Sequence, residues 1–229
     1  MALYDGEIVY ADSQVGRLVE RLRERNRLDD TVLVLTSDHG EEFIEHGGVQ
    51  HGHTLYDEVI RVPLIIRYPP RIPEGTVIQG SIVQSLDMTP TLLDLAGIEG
   101  HAEMQGESLM PLVRDGESPW QEFAVSESPF ADMKAVVTRK WKYIYTSGTR
   151  PLKPNLQSAQ VPGGRLYDLA SDPGELCDVS SEHPEIAAGL HATLLDALPE
   201  SERERLATQK DLEIHPDVRE QLESLGYLK

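Results

Sequence analysis

The chain is predicted to be an α/β protein in which apolar strands are flanked by helices, followed by a small antiparallel sheet with helices of its own. Three observations lead there. Val32-Leu33-Val34-Leu35 is an unbroken apolar run, as expected of a strand covered on both faces of a parallel sheet. It follows a stretch in which Tyr4, Ile8, Ala11, Val15, Leu18 and Leu22 recur at spacings of three and four, the mark of an amphipathic helix. Beyond Pro119 the pattern changes to short strand-like runs with no long helices between them.

The first helix has Asp5 and Glu7 near its start and Arg21, Arg23 and Arg25 near its end, which complements the helix dipole. A second run, Val62 to Ile66, is fenced by Pro63 and by Pro69-Pro70 and predicts a neighbouring strand. Val77 to Val83 suits a short edge strand. Asp87 is placed to cap a helix running to Gly97, with Pro90 in its first turn and Leu92, Leu93 and Leu95 as its apolar residues. Residues 100–119 are irregular apart from a short helical piece at Leu109 to Val113, and the domain boundary is expected there. It divides the chain into residues 1–115 and 116–229. In the second part Phe123 to Val125, Ala135 to Thr138, Lys142 to Tyr145 and Arg165 to Leu169 predict a small antiparallel sheet. Thr149 to Gly164 predicts an exposed loop, and helices are expected at Pro184 to Leu198 and Val218 to Leu225.

Composition excludes several function classes. Lys+Arg 21 against Asp+Glu 39 gives a formal charge of -18, the wrong sign for a nucleic-acid footprint or an anionic lipid surface. No apolar segment approaches the ~20 residues that span a bilayer. One cysteine, Cys177, rules out an internal disulfide framework. Met1 to Asp5 has neither the basic nor the apolar region of a secretory signal, and an expected strand before Tyr4 is missing, so the natural start is expected to lie upstream.

The chemistry concentrates between Thr31 and Pro69. Asp38 and His39 leave the end of the first strand just before Gly40, where a carboxylate and an imidazole can share one divalent metal; an ordinary polar turn uses the same residues. Glu41, Glu42, Glu45 and His46 follow, each taken singly as a solvent-facing group. His51 and His53 lie in a glycine-rich loop, where an imidazole can donate to an anionic oxygen or transfer a proton, although loop histidines are commonly plain surface residues. Asp57 or Glu58 has the spacing for an intrahelical ion pair with Arg61. Cys177 has no neighbouring group to lower its pKa and predicts a packed or surface thiol. Walker, dinucleotide-binding and G-x-S-x-G motifs are absent from the sequence.

Ser37-Asp38-His39-Gly40-Glu41, His51, Leu55-Tyr56-Asp57-Glu58 and Arg61-Val62-Pro63-Leu64-Ile65-Ile66, in that order, resemble the C-terminal part of a sulfatase. The resemblance extends through Tyr4 to Ile8, Ser85 to Leu93, Gly106 to Leu112, Arg139 to Tyr143, Leu166 to Leu169 with Asp172-Pro173, and Leu225 to Leu228. It implies part of an alkaline-phosphatase-like sheet with flanking helices, and hydrolysis of sulfate esters of a small molecule or glycan with a divalent cation, usually calcium. Asp38 and His39 would be metal ligands, His51 would contact the sulfate and assist the leaving group, and His53 is the weaker candidate for the same anion. The family's Cys-x-Pro-x-Arg, whose cysteine becomes the formylglycine nucleophile, and its early pair of metal-binding aspartates are not in this sequence. The resemblance therefore implies a C-terminal half that is inactive alone, with formylglycine supplied by an upstream part. Two alternatives stand beside it: a metal-dependent phosphodiesterase or phosphonate hydrolase of the same superfamily, and a non-catalytic remnant acting as a binding module.

Overall fold

The structure is a computed structural model that describes residues 2–116, 121–128, 132–146 and 163–208. Helix α1 (Ala2–Glu24) forms where the three-four periodicity predicts it, but none of its residues is buried. Its ring contact to the rest of the chain is Tyr4 on Phe43, edge to face at 4.8 Å. Leu3, Ile8, Val9, Tyr10 and Leu18 stay exposed.

Strand β1 (Leu33–Thr36) leads into a loop that carries a short hairpin, β2 (Glu42–Phe43) and β3 (Val49–Gln50), then a one-turn helix α2 (Asp57–Ile60) and strand β4 (Leu64–Arg67). β1 and β4 pair with each other, antiparallel, with Val34 opposite Ile66 and Leu35 opposite Ile65. This corrects the parallel sheet expected from the apolar runs. A parallel return is usually made through a crossover helix, and the segment between the two strands carries only a hairpin and a single helical turn. The expected burial on both faces is corrected too: Leu35 is 42% and Ile65 61% exposed, because the two strands form a two-stranded ribbon with no further strand beside it among the described residues.

Val77 to Val83 is not a strand. Val77 and Ile78 are exposed, and the segment makes only an isolated bridge, Ile82 to Gln121. Helix α3 (Met88–Ala96) ends on Gly97 in the left-handed region, as the sequence predicts. Asp87 does not cap it. This residue lies in a single 3-10 turn (Ser85–Asp87), fully buried, and its carboxylate accepts from the backbone N–H groups of Gln84 (2.8 Å) and Glu107 (2.9 Å) and from the Gln121 amide (2.9 Å). The Gln84 contact closes a capping box on the turn, and the Glu107 and Gln121 contacts staple it to the loops around it, which local spacing does not encode. Helix α4 (Met110–Asp115) occupies the short helical piece expected near Leu109.

Four strands, β5 (Ala124–Ser128), β6 (Met133–Val137), β7 (Trp141–Thr146) and β8 (Gly163–Asp168), form the predicted antiparallel sheet in sequence order. Alternation sorts its side chains. Val136, Tyr143 and Leu166 face Leu194 and Leu198, so α5 (Pro184–Ala197) and the residue after it cover one side. Met133, Ala135, Ile144 and Tyr167 pack against Leu55 and Tyr56, so the other side is covered by the loop between β1 and β4. The sheet is the platform on which that loop is built. A further helix, α6 (Glu200–Thr208), lies outside the sequence expectations; its Glu202 reaches back to the buried Lys134 of β6 at 2.8 Å. The expected helix at Val218 to Leu225, and all but the end of the expected loop at Thr149 to Gly164, fall outside the described residues. No helix among the described residues is long and apolar enough to cross a membrane.

Candidate active site

β1 ends at Thr36, and the turn after it puts Asp38 in solvent, its side chain 87% exposed. Partial desolvation pushes the Asp38 carboxyl up, but its own and the His39 backbone N–H groups, the His39 ring and the Ser37 hydroxyl outweigh it and hold the carboxyl below its usual range. His39 sits beside it, with Nε2 3.7 Å from Asp38 Oδ2. The other ring nitrogen, Nδ1, lies 2.9 Å from the Gly40 carbonyl, an arrangement in which Nδ1–H donates and Nε2 keeps its lone pair.

Gly40 anchors the turn. Its N–H donates to the Val59 carbonyl of α2 at 2.7 Å, and a Cβ at this position would lie 2.0 Å from the Glu58 carbonyl oxygen. Only glycine allows that approach.

The loop then folds back so that His51 stacks on His39, with ring centroids 3.8 Å apart and planes 25° from parallel. His51 Nδ1 is 3.3 Å from Glu41 Oε2. The structure thus brings Asp38, His39 and His51 together with Glu41, an acid that sequence spacing alone assigns to solvent. His53 is half-buried in the same loop, next to Gly52, whose carbonyl accepts from the Ser128 hydroxyl at 2.6 Å.

Two further residues expected in solvent, Glu42 and His46, are interior. Glu42, 2% exposed, accepts from the Gly48 N–H (2.7 Å) and the Thr54 hydroxyl (2.9 Å), closing the hairpin from inside. His46 places Nδ1 2.5 Å from Glu58 Oε1 and Nε2 3.1 and 3.2 Å from the Gly174 and Glu175 carbonyls, and stacks on Tyr56 at 3.5 Å. Glu42, His46 and Glu58 each offer a ligand atom within 4.8 Å of the others. Their atoms are spent on these hydrogen bonds, so the cluster ties the loop down. The expected pair of Asp57 with Arg61 is present at 3.6 Å, with Arg61 81% exposed, but it is the outer contact of a residue whose other oxygen is held by Lys142. Cys177 is a surface thiol.

Residues 1–98 match the family profile described as sulfatase. The chain is 32% identical over 179 residues to the N-acetylglucosamine-6-O-sulfatase of Bacteroides thetaiotaomicron, covering 77% of this chain and 31% of that protein. Its fold superposes with a TM-score of 0.68 and 27% identity on a protein solved in complex with its substrate D-glucosamine-2-N,6-O-disulfate, covering 89% of this chain and 40% of that one. The phosphonate monoester hydrolase of Agrobacterium radiobacter gives a TM-score of 0.65 at 26% identity, covering 82% of this chain and 39% of that one. The chain spans about a third of the length of the curated relatives it matches. With the α/β architecture and the sulfatase-like sequence series in place, the chain belongs to the sulfatase family, within the alkaline phosphatase superfamily.

Proposed function

We propose that this chain forms one wall of the active site of a metal-dependent hydrolase that cleaves sulfate monoesters of a sulfated small molecule or glycan. The convergence of Asp38, His39, Glu41 and His51 at the end of β1 carries the reading. Asp38 and His39 hold a divalent cation, calcium in this proposal. The donors suit a cation, since one is an ionised, exposed carboxylate and the other an imidazole whose Nδ1 is already committed to Gly40. Two donors are fewer than the roughly six to eight that calcium takes, so the remaining ligands belong to parts of the parent protein outside this chain. When bound, the cation offsets negative charge on the sulfate oxygens.

His51 does the proton work. Its Nδ1 is turned to Glu41, and the ring donates a proton to the bridging oxygen as the ester bond breaks. His53 adds a second contact to the same anion. In this proposal the nucleophile is a formylglycine carried by another part of the parent protein; Cys177, followed by Asp178-Val179, does not have the Cys-x-Pro-x-Arg context. Residues 1–115 are the catalytic wall and 116–229 a C-terminal subdomain behind it. The chain alone does not turn over.

A second reading, hydrolysis of phosphonate monoesters or phosphodiesters, is favoured by the likeness to the Agrobacterium hydrolase. The coding sequence upstream of Met1 and an assay of the whole product decide between them. The proposal expects Cys-x-Pro-x-Arg in frame and faster turnover of an aryl sulfate than of an aryl phosphonate. The reverse preference makes the second reading correct, and a gene that truly begins at Met1 reduces the chain to a binding module.

A further inference from the structure

Lys142, on β7, is fully buried, an unusual place for an ammonium group. Alternation along β7 puts it on the same face as Ile144, the face covered by the loop between β1 and β4. Its Nζ lies 2.5 Å from Asp57 Oδ1 and 2.7 Å from Glu175 Oε1. Glu175 comes from the turn after β8, and its second oxygen accepts the Asp57 backbone N–H at 2.6 Å. That N–H opens α2, whose preceding residue, Tyr56, provides no side-chain cap. Burial pushes the Glu175 carboxyl up, and Lys142 pulls against it. The Gly174 and Glu175 carbonyls meanwhile face His46, which holds Glu58 on the same short helix. α2 is thus gripped by both Asp57 and Glu58, and its Val59 carbonyl is the acceptor for Gly40.

We propose that Lys142 and Glu175 are positioning residues: they fix α2, and through the Val59–Gly40 hydrogen bond they fix the turn that carries Asp38 and His39. The brace runs from the antiparallel sheet to the site although neither residue approaches it directly. Without Lys142, two carboxylates would share a buried space with no cation between them, and α2 would be the piece free to shift. The inference rests on Asp38 and His39 being the working pair, but its test does not use activity.

Amide hydrogen exchange of the whole chain, read at Gly40 and at the amides of β6, tests it in K142M. The brace predicts that Gly40 exchange accelerates about tenfold more than the β6 amides, because the opening released is local. Equal acceleration, or acceleration of β6 alone, overturns the proposal and leaves the triad as glue within the sheet. If K142M does not fold, E175N is read the same way: asparagine tolerates the left-handed backbone at this position (φ 53°) but is too short to keep both contacts, and the same two outcomes decide. Loss of sulfate turnover in the parent protein with unchanged Gly40 exchange would count against the brace and not against the proposed reaction.

Discussion

The imidazoles of His39 and His51 stack with centroids 3.8 Å apart, so the proposed metal ligand and the proposed proton donor form one unit. Two cations are poorly placed at that distance. A cation held at His39 Nε2 would leave proton donation to His51, whose ring lies beside the Glu41 carboxylate. In the parent protein, H51A should lower kcat by about 10²–10⁴-fold on alkyl sulfates and much less on nitrophenyl sulfate, whose leaving group needs no proton. E41Q should follow the same pattern at about tenfold, since it only loosens the ring. Steady-state kinetics on the two esters is the check, and equal losses on both would remove His51 from leaving-group assistance.

Gly40 makes a separate, structural prediction. Its missing Cβ is what lets its N–H reach Val59, and the Glu58 carbonyl occupies the space a methyl would take. G40A should destabilise the chain by about 1–3 kcal/mol through overpacking, measured by urea unfolding. A stability within error of the original chain would mean that the turn moves freely.

His191 predicts a pH dependence. Its ring packs on Tyr143 and Tyr145, with Nδ1 3.2 Å from the Tyr143 hydroxyl, and burial pushes its pKa below the ordinary 6.5. A histidine depressed in the fold binds its proton more readily when unfolded. Its contribution is therefore harmless above 6.5 and costs stability as pH falls below that value. H191Q should flatten the loss of unfolding free energy between about pH 7 and 5, again in urea. An unchanged slope would assign the acid sensitivity to other groups.

The exposed apolar side chains of α1 and β4 predict association. Leu3 (88%), Val9 (70%) and Ile65 (61%) present apolar surface to solvent in this chain. Sedimentation of this chain should show concentration-dependent oligomers, suppressed by I65K with V9K. A chain that stays monomeric at high concentration would contradict this.

How much was legible in the sequence followed the range of the forces involved. α1, α3, α5 and the four-stranded sheet were readable because periodicities of 3.6 and 2 are local properties of the chain. The direction of β4 and the exposure of Leu35 were not, since an apolar run states only what a strand could bury. At the site, Asp38, His39 and His51 were recognisable as an ordered series. The stacking of His39 on His51, and the role of Glu41, arise from a loop that returns across ten residues. Glu42, His46, Lys142 and Glu175 were the least legible. Singly each is a surface-type residue, and burial is made tolerable by partners that the loop brings back, Gly48 and Thr54 for Glu42, or by ones as distant as Asp57 and Lys142, 85 positions apart.

The most direct test of the central claim is the dependence of aryl sulfate turnover by the parent protein on divalent cation and on Asp38. Exhaustive chelation should abolish turnover, calcium should restore it, and D38A should lower kcat/KM by about 10²-fold or more at saturating calcium. Full turnover in the chelated enzyme, or a D38A variant indistinguishable from the original, would contradict that claim.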